Sequence, residues 1–287
     1  MSIVKQAPVV LPSRSARWAA LAWSLGVVVF ATPLVLQSLA MQSAQPEGTD
    51  AEATALLRRS TILVLASLLV TVATAVVLAT SWNRIVRRIG NAGLATIAMV
   101  AAMQFSVAYA ARVIGALAGV LLGPYYLYID GVGSKGLTCL LLGALIALLP
   151  LPGVLALALA TVFVLNAIAN GQLGLMSLLF IAVTIALHEV FAAAFGVTTG
   201  RDRPANGNRA VLLPAVTASL AIRIGLAIGL AQCLSLFAQY EMYKALLRLD
   251  FAMSYKLSIS VITGLLYGGV GATCGAFLGG RLRKVAP

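Results

Sequence analysis

AGLATIAMVAAMQFSVAYAARVIGALAGVLL, residues 92–122, carries a single charge, Arg112. The run is longer than the roughly 20 apolar residues that a helix needs to cross the hydrocarbon core of a bilayer. On either side of it the chain repeats the theme, with apolar stretches at about 17–40, 60–82, 135–149, 153–169, 173–197, 210–237 and 258–280. Hydrophobic residues make up 61% of the 287 positions and charged ones 10%, with a mean hydropathy of +1.00. A water-soluble core could not enclose that much apolar surface. The expectation is an all-α polytopic membrane protein of about eight transmembrane helices.

Charge placement predicts the topology. With the amino terminus cytoplasmic, the inner segments carry Lys5, Arg14, Arg17, Arg84, Arg87, Arg88, Arg201, Arg203, Arg209, Arg281, Arg283 and Lys284, twelve cations. The outer segments then hold six, Arg58, Arg59, Lys135, Lys244, Arg248 and Lys256, mixed with Glu47, Asp50, Glu52, Asp130, Glu241 and Asp250. That bias predicts both termini inside and accounts for the net charge of +12 without nucleic acid as a partner. The first stretch exceeds the 7–15 residues of a signal-peptide core and reads as a retained helix. Cys139, Cys233 and Cys274 all fall inside expected spans, odd in number, and give neither a disulfide framework nor a metal spacing. No metal or cofactor is expected.

Two segments divide the chain. Residues 1–90 form a transmembrane hairpin ending in the basic cytoplasmic linker 83–90, and residues 91–287 form a six-helix bundle whose turns are marked by Gly123-Pro124, Pro150-Leu-Pro152-Gly153, Asn170-Gly171 and residues 204–208. The connection GPYYLYIDGVGS, 123–134, packs Tyr125, Tyr126 and Tyr128 beside Asp130 and the later glycines Gly131 and Gly133. Two readings stand for it: tyrosines anchored in the headgroup region, or a lid over a small ring-bearing ligand. The segment AQYEMYKALLRLDFAMSYKL, 238–257, reads as a short interfacial helix on the same side.

Small residues recur every fourth position at Ala98, Ala102, Ser106 and Ala110, and again at Gly264, Gly268, Ala272, Ala276 and Gly280 beside the row Gly271, Gly275 and Gly279. Such ridges let helix backbones approach closely, either within the bundle or against another membrane subunit. The ionisable residues inside spans are Arg112, His188, Glu189 and Arg223. Arg112 falls near the outer end, turned away from the ridge, where it could meet a ligand or snorkel to headgroups. Glu189 and Arg223 could pair across helices, and His188, the sole histidine, could be a hydrogen-bonded structural residue or a proton relay. Asn166 and Asn170, one turn apart, could line an outer pocket with Arg112 and Gln232, or act as caps. No phosphate-binding loop, metal-ligand spacing or nucleophile elbow occurs, so no enzyme is expected.

On its six-span layout, the ridge Ala98/Ala102/Ser106, the outer segment GPYYLYIDGVGS and the ending GLLYGGVGATCGAFLGGRLRK, the portion from about 91 to 283 resembles the substrate-binding S component of energy-coupling-factor (ECF) transporters. The resemblance implies a six-helix bundle that captures a small molecule such as a vitamin or related micronutrient from outside. It further implies docking through the alanine-rich ridge onto a transmembrane coupling subunit, with ATPase subunits supplying energy. The extra amino-terminal hairpin departs from the family's usual form. The expected location is the bacterial plasma (inner) membrane. Two other classes stand beside this one: a non-transporting membrane scaffold or assembly subunit, and a proton-coupled secondary transporter working through Glu189 and His188.

Overall fold

In the computed structural model of the protein, residues 49–123, 126–170, 175–198, 216–247, 249 and 251–285 are described, and all the regular structure among them is helical. The chain order is α1 (Thr49–Leu122), α2 (Tyr126–Gly131), a π-helical stretch Val132–Gly136 leading into α3 (Leu137–Leu148), α4 (Val154–Asn170), α5 (Leu175–Ala194), α6 (Ala218–Leu247), α7 (Met253–Ile259), and a second π-helical stretch Ser260–Tyr267 leading into α8 (Gly268–Val285). Among the described residues, four helical runs are long and apolar enough to cross a membrane: Arg84–Leu122, Ser177–Ala194, Ala218–Lys244 and Met253–Arg283. Val132–Leu148 and Val154–Ala169 are shorter apolar helices. The stretch 17–40 lies outside the described residues.

The second and third expected spans are the two helical segments of α1, which meet at the non-helical Gly90. Nothing in Asn83-Arg-Ile-Val-Arg-Arg-Ile89 breaks a helix, so the basic segment read as a linker is helical, and the direction changes only at Gly90, with φ 69° and ψ 171°. That backbone conformation suits glycine and strains any residue with a Cβ. Ile89 is buried in the main core with Ile97, Val100, Leu142, Leu145, Ile146, Val154, Leu155, Ile224 and Ile228, and Ile85 packs on its edge. Further up α1, Val70 joins a second core with Leu179, Val183, Leu187 and Met242. Val70 thus packs this part of α1 on α5 and α6.

Glycine carries the centre of the fold. A methyl group at Gly271 would fall on the Gly136 carbonyl, one at Gly275 on the Leu140 carbonyl, and one at Gly143 on the Ala272 carbonyl, so α8 and α3 meet backbone to backbone. The other face of the same carboxy-terminal run meets α6: a Cβ at Gly264 would lie 2.6 Å from the Cys233 Cα, and one at Gly229 would lie 2.9 Å from the Gly269 Cα. The double row of small residues in this span therefore serves two neighbours inside the chain. This corrects the docking role expected for Gly264, Gly268 and Ala272, which are all buried. Dispersion and the loss of little side-chain entropy make such contacts favourable where lipid supplies no hydrophobic drive.

The other ridge has the opposite fate. Ala98, Ala102, Ser106 and Ala110 are all exposed. Around them stand Met99, Met103, Val113, Ile114 and Leu117, and toward the end of α1 Val120 and Leu121 are 86% and 85% exposed. The buried side of the same helix, Ile97, Val100, Ala101 and Gln104, holds it to the bundle.

Candidate functional site

Two groups of polar and aromatic side chains stand out, one at an end of the bundle and one inside it. At the end, the segment expected as a lid over 123–134 is helical from Tyr126 onward and packed down. Gly131 sits so close to the carboxy-terminal run that a Cβ there would be 2.6 Å from Thr263 Cγ2 and 3.3 Å from Tyr267. Tyr126 lies against Gly115 and Gly119 of α1, and Tyr128 shares a hydrogen bond of 3.0 Å with the Ser258 hydroxyl. The Ser134 hydroxyl donates to Asp130 at 3.0 Å. The glycines here permit close helix contact, which is why the segment is not a loose loop. Tyr125 lies outside the described residues.

The segment 238–257 is the partner of this end. Instead of one short interfacial helix, α6 runs on to Leu247, since apolar and aromatic residues keep their helical spacing, and α7 starts at Met253. Tyr240 packs edge-on against Phe251 (5.2 Å between centroids), Tyr243 (6.2 Å) and Tyr255 (6.0 Å). Phe251 stacks on Tyr255, and Tyr126 and Tyr128 lie within electrostatic range of Tyr255. On the same two helices, the Lys256 ammonium is paired with the Glu241 carboxylate, with side-chain exposures of 6% and 16%. The result is an aromatic cap and a buried ion pair carried by the same helices.

Inside the bundle, Gln104 of α1 and His188 of α5 are both buried. Gln104, 3% exposed, donates its amide N–H to the Thr138 carbonyl at 2.9 Å, and its Oε1 is buried without a hydrogen-bond partner. His188, 1% exposed, places Nδ1 2.7 Å from the Thr184 carbonyl. A carbonyl only accepts, so Nδ1 carries the proton, and in the neutral ring Nε2 is a bare acceptor, also buried and without a partner. Lys135, three residues before Thr138, lies within electrostatic range of both Cys139 and His188.

No family model, curated protein or solved structure matches the chain.

The expected site residues separate into different places. Tyr126, Tyr128 and Asp130 belong to the capped end. Gln232 is buried in α6 with its Cβ and Cγ against Gly268, and Asn166 is half-buried with its amide donating to the Val162 carbonyl of its own helix at 2.9 Å. Arg112 is exposed on α1, and the side chain of Asn170 lies outside the described residues. Glu189 does not pair with Arg223, which is exposed on α6. Its carboxylate instead accepts the amide of Gly153 at 3.1 Å to both oxygens and that of Ala156 at 2.9 Å, satisfying the open N–H groups at the start of α4. Among the described residues no three His, Cys, Asp or Glu side chains converge as a metal site would require.

Sequence reading missed Gln104, an amide inside the apolar run 92–122 whose burial and contact with the Thr138 carbonyl only the fold reveals.

Proposed function

We propose that the chain is the substrate-binding membrane subunit of an ATP-driven importer of the ECF type, taking up a small molecule. The observation that carries this reading is the contrast between the two small-residue ridges. The glycine rows of the carboxy-terminal run are consumed by α3 and α6, whereas Ala98, Ala102, Ser106 and Ala110 remain exposed on a helix whose other side is in the core. An exposed stripe of small residues flanked by methionine and branched apolar side chains suits a close helix contact with a second membrane protein. A large transmembrane coupling subunit bound to ATPases is the occupant that fits the resemblance. The eight-span topology with cytoplasmic termini in the bacterial plasma membrane belongs to the same reading.

Glu189 weighs against the proton-coupled alternative, since a carboxylate that accepts two backbone amides at a helix start already has a structural use. The scaffold alternative shares the exposed ridge and differs in lacking a ligand. Native mass spectrometry of the protein isolated with its partners, joined to uptake assays under ATP depletion, separates the classes. A complex containing ATPase subunits and a retained small molecule, with uptake lost on ATP depletion and kept in an uncoupler, is the expected result. Partner subunits without ATPases or ligand would favour the scaffold.

A further inference from the structure

We infer that the arginine-bearing end of the bundle is a surface for anionic phospholipid, with Arg87, Arg88 and Arg281 holding lipid phosphates while the exposed apolar faces of α1 and α8 carry the acyl chains. The inference goes beyond substrate capture and holds equally for an importer subunit and for a scaffold.

Packing fixes where these arginines stand. Ile85 lies against Gly153, where a Cβ would be 2.9 Å from its Cγ2, and Ile89 is buried in the core, so the side of α1 that carries Arg87 and Arg88 is turned outward and exposed. On α8, Gly279 meets Ala144 of α3 and Gly280 meets Val216 just ahead of α6, which leaves Arg281 exposed. Both helix ends flank one turn. Gly153 belongs to the α3–α4 connection, and the Arg283 guanidinium donates to the Leu148 carbonyl at its start.

Each of the two helices presents an exposed apolar stripe that runs up to an arginine. On α1, Leu69, Val72, Val76 and Thr80 are exposed at helical spacing on the face that Arg87 continues. On α8, Val270, Cys274, Phe277 and Leu278 are exposed on the face that ends in Arg281. Val76 to Arg87 and Val270 to Arg281 each cover about 16 Å of helix, which is about half the hydrocarbon thickness of a bilayer and so the depth of one leaflet. An acyl chain lying along either stripe brings its phosphate to the guanidinium. Charge then selects the headgroup. Among the described residues the acid beside this turn is Glu189, whose carboxylate is taken by the Gly153 and Ala156 amides, whereas Arg84, Arg87, Arg88 and Arg281 are all exposed cations. A guanidinium matches phosphate oxygens in two parallel hydrogen bonds, and several cations at one membrane surface favour a lipid of net negative charge over a zwitterionic one.

The full-length protein, stripped of lipid in detergent, is titrated with dioleoyl phosphatidylglycerol and separately with dioleoyl phosphatidylethanolamine, which has the same chains and no net charge. Native mass spectrometry counts the retained lipid, and a melting curve reads its effect. Phosphatidylglycerol is expected to be retained saturably and to raise the melting temperature, while the ethanolamine lipid does neither. Arg87→Gln, Arg88→Gln and Arg281→Gln are each expected to weaken retention about fivefold. Lysine at the same positions keeps the charge and should keep most of the retention, and lipid-free melting equal to the parent's reports an intact fold in every variant. Equal retention of the two lipids overturns the proposal, and because it is read on the unaltered protein it decides even where a variant fails to fold. Phosphatidylglycerol held as tightly by the triple glutamine protein as by the parent overturns it as well. Inorganic phosphate that raises the melting temperature as far as phosphatidylglycerol does overturns the role of the apolar stripes and leaves a site for a free anion only.

Discussion

Glu189 of α5 holds both carboxylate oxygens 3.1 Å from the amide nitrogen of Gly153, which opens the turn into α4. Across the same turn, the Arg283 guanidinium donates to the Leu148 carbonyl at the end of α3 at 2.9 Å. An acid thus sits at a helix start and a base at a helix end, the arrangement that complements both helix dipoles. Side chains distant in sequence thereby close the α3–α4 turn, where apolar surroundings offer few other partners for its backbone groups.

Removing the acid should show the cost of that arrangement. Glu189→Ala leaves the Gly153 and Ala156 amides without their acceptor and is expected to destabilise the protein by about 1–3 kcal/mol. Glu189→Gln keeps one carbonyl oxygen and should recover part of the loss. Thermal unfolding in detergent measures both, and uptake by Glu189→Gln should persist at a rate that tracks protein amount. Abolished uptake in a well-folded Glu189→Gln protein would instead revive the proton-relay reading.

The two ridges predict opposite outcomes for the same kind of change. Gly275→Leu drives a branched side chain into the Leu140 carbonyl and should prevent α3 and α8 from meeting, so the isolated protein is expected to lose its fold. Ala102 is exposed, and Ala102→Leu should leave the melting behaviour of the isolated protein within about 0.5 kcal/mol of the parent while weakening its hold on the coupling subunit. Size-exclusion profiles and co-isolation of the tagged complex read the two effects. Unfolding of Ala102→Leu would mean that this stripe is internal after all.

Hydropathy and the spacing of small residues made the helical class and the close helix contacts legible, because both depend on composition along one strand of chain. Their assignment to neighbours was not. Gly264 fits α6, Gly268 sits between Cys139 of α3 and Gln232 of α6, and Gly271 and Gly275 fit the α3 side, only once the three helices are brought together. The basic segment at 83–90 does end at a break, Gly90, while its isoleucines 85 and 89 continue the helix before it and pack on the core. Likewise Tyr126, Tyr128 and Asp130 did gather at one end, but glycine there brings the chain down onto Thr263 and leaves no open lid.

Topology is a further point that charge alone predicts. Twelve cations against six predict that both termini are cytoplasmic, so a reporter that works only in the cytoplasm is expected to be active when fused after Pro287. A second fusion, within 204–208, should report the same side, and one within 245–250 the opposite side. Signal from the terminal fusion on the outer face would require an odd number of crossings.

The ion pair on the helices of the aromatic cap gives the most discriminating stability test. Lys256 and Glu241 have side chains 6% and 16% exposed, beside Tyr240, Tyr255 and Phe251. Desolvating two charges roughly offsets their attraction, so the pair as a whole contributes little net stability, but either charge left alone is costly. Glu241→Gln strands the Lys256 ammonium and Lys256→Met strands the Glu241 carboxylate, and each is expected to cost about 3–5 kcal/mol. The double change Glu241→Met with Lys256→Met removes both charges and should return close to the parent, giving a large coupling energy in the double-mutant cycle. Unfolding measured in detergent at low and high salt supplies the cycle, and a buried pair should respond weakly to the added salt. The doubly substituted protein keeps the rings of the cap, so if the cap serves only to close the bundle its uptake should match the parent. Retained stability with lost uptake would show that the Lys256–Glu241 pair acts on the substrate path, and near-additive losses in the cycle would show that the two charges do not depend on each other.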